Sequence, residues 1–168
     1  ISAWLHPSKT IQKVYDLNNG NVMVTETDFM HESPNHMYQT KSVSTQSDGS
    51  QLISTTKYIT DYQDGYGNTA AAALSEMKNT DHIVGLPIEQ STWIKQPQAT
   101  QSQLLTSGIT TFKAVGNNQI RPYQVLEVAP ETPVSESNFT LSQVDAQGNF
   151  TYDARYEDKV TYSRFDRY

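Results

Sequence analysis

Residues 57–92, KYITDYQDGYGNTAAAALSEMKNTDHIVGLPIEQST, decide how the rest of the chain is read. A β-branched and aromatic strand ends here (Thr55–Thr60). A Gly-rich turn, Asp64-Gly65-Tyr66-Gly67, follows. The alanine run after it predicts one short helix near residues 69–78, because alanine has the best intrinsic helix propensity. Asn68 or Thr69 can cap it, since a short side-chain oxygen satisfies an N–H that the first turn leaves unpaired. Ala70, Ala73, Leu74 and Met77 recur at i, i+3, i+4 and i+7, which makes one apolar stripe and leaves Ser75, Glu76 and Lys78 outside. About three turns of helix are marginal alone in water. The helix must therefore lie on the flanking strands, one of which restarts after Gly85-Leu86-Pro87.

Working outward, the chain reads as hairpins. Thr10–Tyr15 and Asn21–Met30 flank Leu17-Asn18-Asn19-Gly20. Met37–Ser47 and Ser50–Ile59 flank Asp48-Gly49, a two-residue turn signal. Glu32-Ser33-Pro34-Asn35-His36 is a turn, because proline cannot donate to a ladder. Ile88–Lys95 alternates Glu89, Ser91 and Trp93 on one side with Ile88, Gln90, Thr92 and Ile94 on the other. Leu104–Ala114 and Ile120–Val128 surround Gly116-Asn117-Asn118. Asn138–Val144, Phe150–Tyr152 and Lys159–Phe165 complete the set. Trp4 and Leu5 in the entry segment need a surface to bury against. The expected fold is mainly all-β: antiparallel hairpins in an extended sheet, with the one helix. Residues 1–168 read as a single β-rich segment of a larger protein, and the best place for a sub-boundary is 96–102.

Composition supports that class. Hydrophobic residues make up 36% of the 168, against about 45–50% in ordinary globular chains. Charged residues are only 18%, so the chain is no charge-swollen disordered polymer. Thr, Ser, Gln and Asn fill the deficit, which suits sheets with a wetted face. Strands such as Lys41–Thr45 are polar on both sides. The expectation is that ladder bonds and hydroxyl pairs hold them, rather than oily side chains between two layers.

The net charge is −6 and the cations are scattered, which argues against nucleic-acid binding. No apolar run reaches the roughly 18 residues of a membrane-spanning helix. Cysteine is absent, so disulfide and thiolate chemistry are excluded. The chain starts at Ile1 and reads as a processed form or an internal segment.

One signature recurs: an apolar or aromatic residue, Asp, a few residues, then Gly-Asn. It occurs at Tyr15-Asp16…Gly20-Asn21 and at Val144-Asp145-Ala146-Gln147-Gly148-Asn149. It begins again at Phe165-Asp166. Asp bonding the turn backbone and Gly-Asn taking the left-handed conformation explain it as a hairpin turn. On these residues the chain resembles the YD-repeat family, the Rhs and teneurin-like proteins. The hairpin over 39–59, then Lys57-Tyr58…Asp61-Tyr62, the helix and Leu86-Pro87-Ile88-Glu89-Gln90 together resemble a non-repeat segment of Bacteroidetes-type Rhs proteins. The resemblance covers most of the chain. It implies a stretch of β-sheet wall, or the region just before it, in a bacterial shell that encloses a C-terminal cargo such as a toxin. It further implies a secreted or cell-surface location. The implied partners are the remainder of the parent polypeptide, its encapsulated cargo and a cell-surface or secretion partner. The family's self-cleavage motif has no counterpart here, so no catalytic residue is carried over.

Other chemistry is weakly signalled, and the expectation is a non-enzymatic segment with no catalytic, cofactor or metal residues. His31 and His36 flank the proline turn beside Glu32, but His6 and His82 are too far in sequence to complete a metal set by spacing. Asp61, Asp64 and Asn68 around Gly65 and Gly67 faintly resemble a calcium loop. They lack the alternating oxygens and closing glutamate of an EF-hand, and turn formation explains them too. No nucleophile elbow or phosphate loop occurs, and paired carboxylates for a hydrolase could meet only in the fold. Tyr58, Tyr62, Tyr66 and Trp93 read either as sheet packing or as sugar-stacking platforms. The second option gives the alternative reading, a surface carbohydrate-binding or adhesin module of β-sandwich type. Asn138-Phe139-Thr140 and Asn149-Phe150-Thr151 match the glycosylation pattern, which carries no weight in a bacterial protein.

Overall fold

The computed structural model describes residues 6–16, 18, 20–115 and 119–163. Trp4, Leu5, Leu17, Asn19, the 116–118 turn and the third signature at 165–168 lie outside the described residues. The strands are β1 (Lys9–Tyr15), β2 (Val22–Met30), β3 (Lys41–Thr45), β4 (Gln51–Tyr58), β5 (Pro87–Lys95), β6 (Gln103–Ala114), β7 (Ile120–Val128), β8 (Gln143–Val144), β9 (Phe150–Thr151) and β10 (Glu157–Thr161). The helix α1 spans Thr69–Asn79. An eight-stranded antiparallel sheet runs β1-β2-β3-β4-β5-β6-β7-β10, and β8 and β9 form a separate small pair. The chain is thus mainly β with one short helix. Residues 96–102 link β5 to β6, which pair within the same sheet.

A single cross-strand row shows how this sheet is held. Lys9 pairs with Asp28, Asp28 with Val43, Val43 with Ile53, Ile53 with Trp93, and Trp93 with Leu104. The row begins in charge and ends in the core. At its wet end β1 is exposed along its whole length. Lys9 Nζ bridges Glu26 at 2.7 Å and Asp28 at 3.7 Å. Between β2 and β3 the Thr27 and Ser44 hydroxyls meet at 2.8 Å, and the Thr25 hydroxyl donates to Gln46 Oε1 at 3.3 Å. Ladder bonds and short polar pairs hold this half, as the composition predicts.

From Ile53 onward the expectation of a sheet without an oily layer fails. Ile53, Trp93, Leu104, Ile109 and Leu126 turn one face inward. Helix α1 lays Ala71, Ala73, Leu74 and Met77 on that face, and Val134, Phe139, Val144, Phe150 and Tyr156 cover the rest. Burying Leu74 and Met77 stabilises the helix by roughly 1.5–3 kcal/mol each. The sparse apolar residues are concentrated rather than spread, and composition averaged over the chain conceals that. The other face of β4–β7 stays open, with Leu52, Gln90 and Thr106 exposed.

The helix caps on Asn68, whose Oδ1 accepts the Ala71 N–H at 3.0 Å. Ala71 rather than Ala70 is the fully buried alanine of the first turn. Ser75, Glu76 and Lys78, expected outside, are half-buried. Ser75 Oγ accepts the Gly65 N–H at 2.6 Å, and Lys78 Nζ reaches the Tyr62 carbonyl at 2.9 Å. The Gly-rich turn folds back on the helix and occupies the side that periodicity assigns to water.

The Asp48-Gly49 connection is a three-residue loop rather than a two-residue one. Gln46 N–H donates to Ser50 O, and Gly49 N–H to Gln46 O, each at 2.9 Å. Gly49 sits at φ +83°. Such loops combine a type I turn with a left-handed glycine. The Asp145–Asn149 signature builds the same loop with Gly148 at φ +77°. Asp145 Oδ1 accepts the Gln147 and Asn149 N–H groups at 3.0 and 2.8 Å. The aspartate therefore closes the turn as expected, but of the Gly-Asn pair only the glycine is left-handed. Strand β8 is far shorter than the expected Asn138–Val144, because Asn138–Ser142 leaves the ladder to cover the core, while β9 ends one residue before the expected Tyr152.

Candidate functional site

Strand β5 places Glu89, Ser91 and Trp93 on the covered face. A carboxylate is therefore driven into the core beside a tryptophan, and Glu89 is 1% exposed. A buried carboxylate must be fully bonded. Its Oε2 accepts Ser142 N–H at 2.9 Å and Ser142 Oγ–H at 2.7 Å, and its Oε1 accepts the Tyr156 hydroxyl at 2.7 Å. Tyr156 also meets Ser107 Oγ at 2.6 Å, which meets Ser91 Oγ at 2.5 Å. Tyr62 bonds Ser142 Oγ at 2.7 Å. Lys57, cross-strand partner of Glu89, donates to the Ser142 carbonyl and sits 4.6 Å from the Tyr62 ring centre. Burial pulls the Lys57 pKa down, against the Glu89 and Asp61 carboxylates. Burial, aided by Glu89, pushes the Tyr62 and Tyr156 phenols well above the ordinary range.

This network fastens the 134–156 segment to the sheet. A depression of 240 Å³ lined by Lys57, Asp61, Tyr62, Gln63, Gln143 and Val144 reaches its rim, but Glu89 is not in its wall. Sequence reasoning missed the network. The signal was present in the alternation that puts Glu89 on the tryptophan side of β5, but its partners lie 53 and 67 residues away.

A second cluster forms where the proline turn folds over the end of β4. Asp61 accepts Ser33 Oγ–H at 2.7 Å and Tyr58 N–H at 2.8 Å, and lies 3.1 Å from His36 Nε2. Tyr38 N–H donates to His36 Nδ1 at 3.1 Å, so the ring proton sits on Nε2 and faces the carboxylate. Burial raises the Asp61 pKa, but the Ser33, Tyr58 and His36 donors outweigh it and hold the carboxyl below its usual value. Ser33 bonds the carboxylate rather than the imidazole, so the trio lacks the nucleophile–base contact of a hydrolytic triad. Beside it lies a largely apolar cleft of 550 Å³ with His31, His36, Met37, Tyr38 and Val84 in its wall. The rings of Tyr38 and Tyr58 are 5.1 Å apart, and a Cβ at Gly85 would come within 2.7 Å of the Tyr38 ring.

The remaining sequence candidates are scattered. His31 Nδ1 bonds the Met37 carbonyl at 3.1 Å, and its ring stacks on His6 at 4.3 Å. His82 is exposed beyond the helix at φ +54°. Among the described residues no group of three or more His, Asp or Glu is placed to hold a metal ion. Asp61, Asp64 and Asn68 do not converge as calcium ligands would. Asp64 pairs with Lys78 at 2.6 Å, while Asn68 caps α1 and bonds Phe150 N–H at 3.2 Å. Of the aromatic platform, Tyr62 and Trp93 are core residues. Tyr58 is half-buried, and Tyr66 is 76% exposed with its ring over Gly148.

The last candidate surface is the pair of sheet edges. Among the described residues, β1 and β10 each pair on one side only. Ile11, Val14 and Tyr15 stand exposed on one edge, Val160 and Tyr162 on or beside the other. No helix among the described residues is long and apolar enough to cross a membrane. No protein-family model, curated protein or solved structure matches this chain.

Proposed function

We propose that this chain is a non-enzymatic structural segment of a large secreted or cell-surface YD-repeat (Rhs-like) protein, contributing β-sheet wall to a shell around a C-terminal cargo. The observation that carries the reading is one continuous eight-stranded antiparallel sheet with one open face, whose edge strands pair on one side only among the described residues. Bare edges invite further pairing, which self-contained domains normally block. The Asp16…Gly20 turn of the signature supports it, because it joins β1 to β2 within that sheet, whereas the Asp145…Gly148 turn joins the separate β8–β9 pair. The test is hydrogen exchange on this chain alone, dilute enough to be monomeric, and on the same chain within its parent polypeptide. The wall reading expects the outward amides of β1 and β10 to exchange rapidly in the isolated chain and to be protected in the parent. Rapid exchange in both, or protection in both, overturns it.

The cleft beside Tyr38 favours one second reading, a surface carbohydrate-binding module. The half-exposed Tyr38 ring, with Asn35 and Gln39 beside it in the wall, offers an apolar face and amide groups to a sugar. Titration with neutral oligosaccharides, followed by Tyr38→Ala, tests it. No saturable binding ends it.

A further inference from the structure

We infer that the partner of the β1 edge is the β10 edge of a second copy of this chain, so that copies add head to tail into a continued sheet. This rests on the wall reading and names what extends the wall. The first ground is direction. Every neighbouring pair in the sheet is antiparallel. With eight strands, the two edges therefore run in opposite directions. A second copy in the same orientation can set its β1 beside β10 as one more antiparallel pair, and every further copy repeats the step.

The second ground is charge. Strand β1 carries Lys9 and Lys13 and no acid, while β10 opens on Glu157 and Asp158. Lys9 is already engaged by Glu26 and Asp28. Lys13, Glu157 and Asp158 are exposed, and among the described residues none of them forms an ion pair. Unpaired charge of one sign on each edge repels like edges and attracts unlike ones.

The third ground is facing. Asp158 sits in the row of Leu126, Ile109, Glu89 and Lys57, on the covered side of the sheet. Lys13 lies on the same side, four residues along β1 from Lys9, which heads the row ending at Trp93 and Leu104. Setting Lys13 opposite Asp158, with the bulge that β10 already has at Lys159, puts Gln12 opposite Val160 and Ile11 opposite Thr161. Each copy then keeps its open face on the same side, as a continuous wall requires. Such a contact is heterologous and does not close on itself.

The experiment is sedimentation velocity on the whole chain across a range of concentration and salt. The inference expects concentration-dependent end-to-end association that weakens with salt. Lys13→Glu and Asp158→Lys should each weaken it on the order of tenfold. An equimolar mixture of the two variants should restore it, because each altered edge then meets its opposite charge. Unchanged thermal unfolding confirms that both variants remain folded. A chain monomeric at every concentration overturns the inference, as does association that neither reversal weakens. Neither result touches the wall reading, whose own test is protection of these edges within the parent chain.

Discussion

The carbonyl of Gly148 accepts, at 2.9 Å, the N–H of Gly67, a residue 81 positions earlier in the chain. Tyr66 N–H reaches the same oxygen at 3.0 Å. The Gly-rich turn before the helix and the Asp…Gly-Asn signature near the end of the chain therefore form one joint. Their glycines are there for close approach. A Cβ at Gly67 would lie 2.2 Å from Asn149 Oδ1, and one at Gly148 would lie 2.8 Å from the Tyr66 ring.

Gly148→Ala should destabilise the chain by about 1–3 kcal/mol, combining left-handed strain with that clash. Gly20→Ala is the control. Gly20 has φ +71° but nothing within 4 Å of its Cβ position, so it should cost only about 1 kcal/mol. Urea unfolding of both variants separates strain from packing. Equal losses would refute the joint.

Asn68 caps the helix and also holds Phe150, accepting its N–H at 3.2 Å and donating to its carbonyl at 2.9 Å. Asn68→Ser should retain the cap and lose the bridge. Asn68→Ala should lose both, at about 1–2 kcal/mol for the cap alone. Thermal unfolding should therefore rank wild type above serine and serine above alanine. Serine matching wild type would show that the bridge contributes nothing.

Glu89→Ala removes the acceptor of three buried donors and should cost about 3 kcal/mol or more. Glu89→Gln keeps an acceptor oxygen but adds a donor beside others, and should cost less. The first amides to lose protection in native-state exchange should be those of 134–156, which Glu89 fastens. Loss beginning instead in β2 or β3 would contradict that role.

Asp61 has its carboxyl held below the usual value by donors that outweigh burial. Its contribution is present above the unfolded-state pKa near 3.9 and is lost as pH falls through the depressed folded value. Asp61→Asn should therefore be less stable than wild type at pH 7, with the gap closing below about pH 4. A gap that persists at acid pH would assign the effect to packing.

Tyr62 and Tyr156 have raised pKa values, so their contribution is complete below about pH 10 and is lost as pH rises towards the folded-state values. Absorbance titration should show exposed tyrosines ionising first and the two buried phenols only together with unfolding. Ionisation of all of them in one early step would place these rings in water.

Much of the fold was legible because the signals are local. Glycine and aspartate mark hairpin turns by backbone geometry, and Asn68 before an alanine run marks a helix start. The Ile88–Lys95 alternation gave the correct face for Glu89, Ser91 and Trp93. The candidate sites were legible only in fragments. His36 and Asp61 were both noticed, yet nothing in their 25-residue separation says that they touch.

The sequence by itself determined the strand and helix inventory, the positions of the hairpin turns and the polar character of β3, because each depends on neighbours within a few residues. Only the tertiary structure decided that the few apolar residues gather over one half of one sheet, that a buried glutamate finds its donors on a distant segment, and that the two edge strands carry opposite charge with no ion-pair partner among the described residues. These depend on which strands become neighbours. That choice is made by the summed burial and pairing of the whole chain, which no short window of sequence contains.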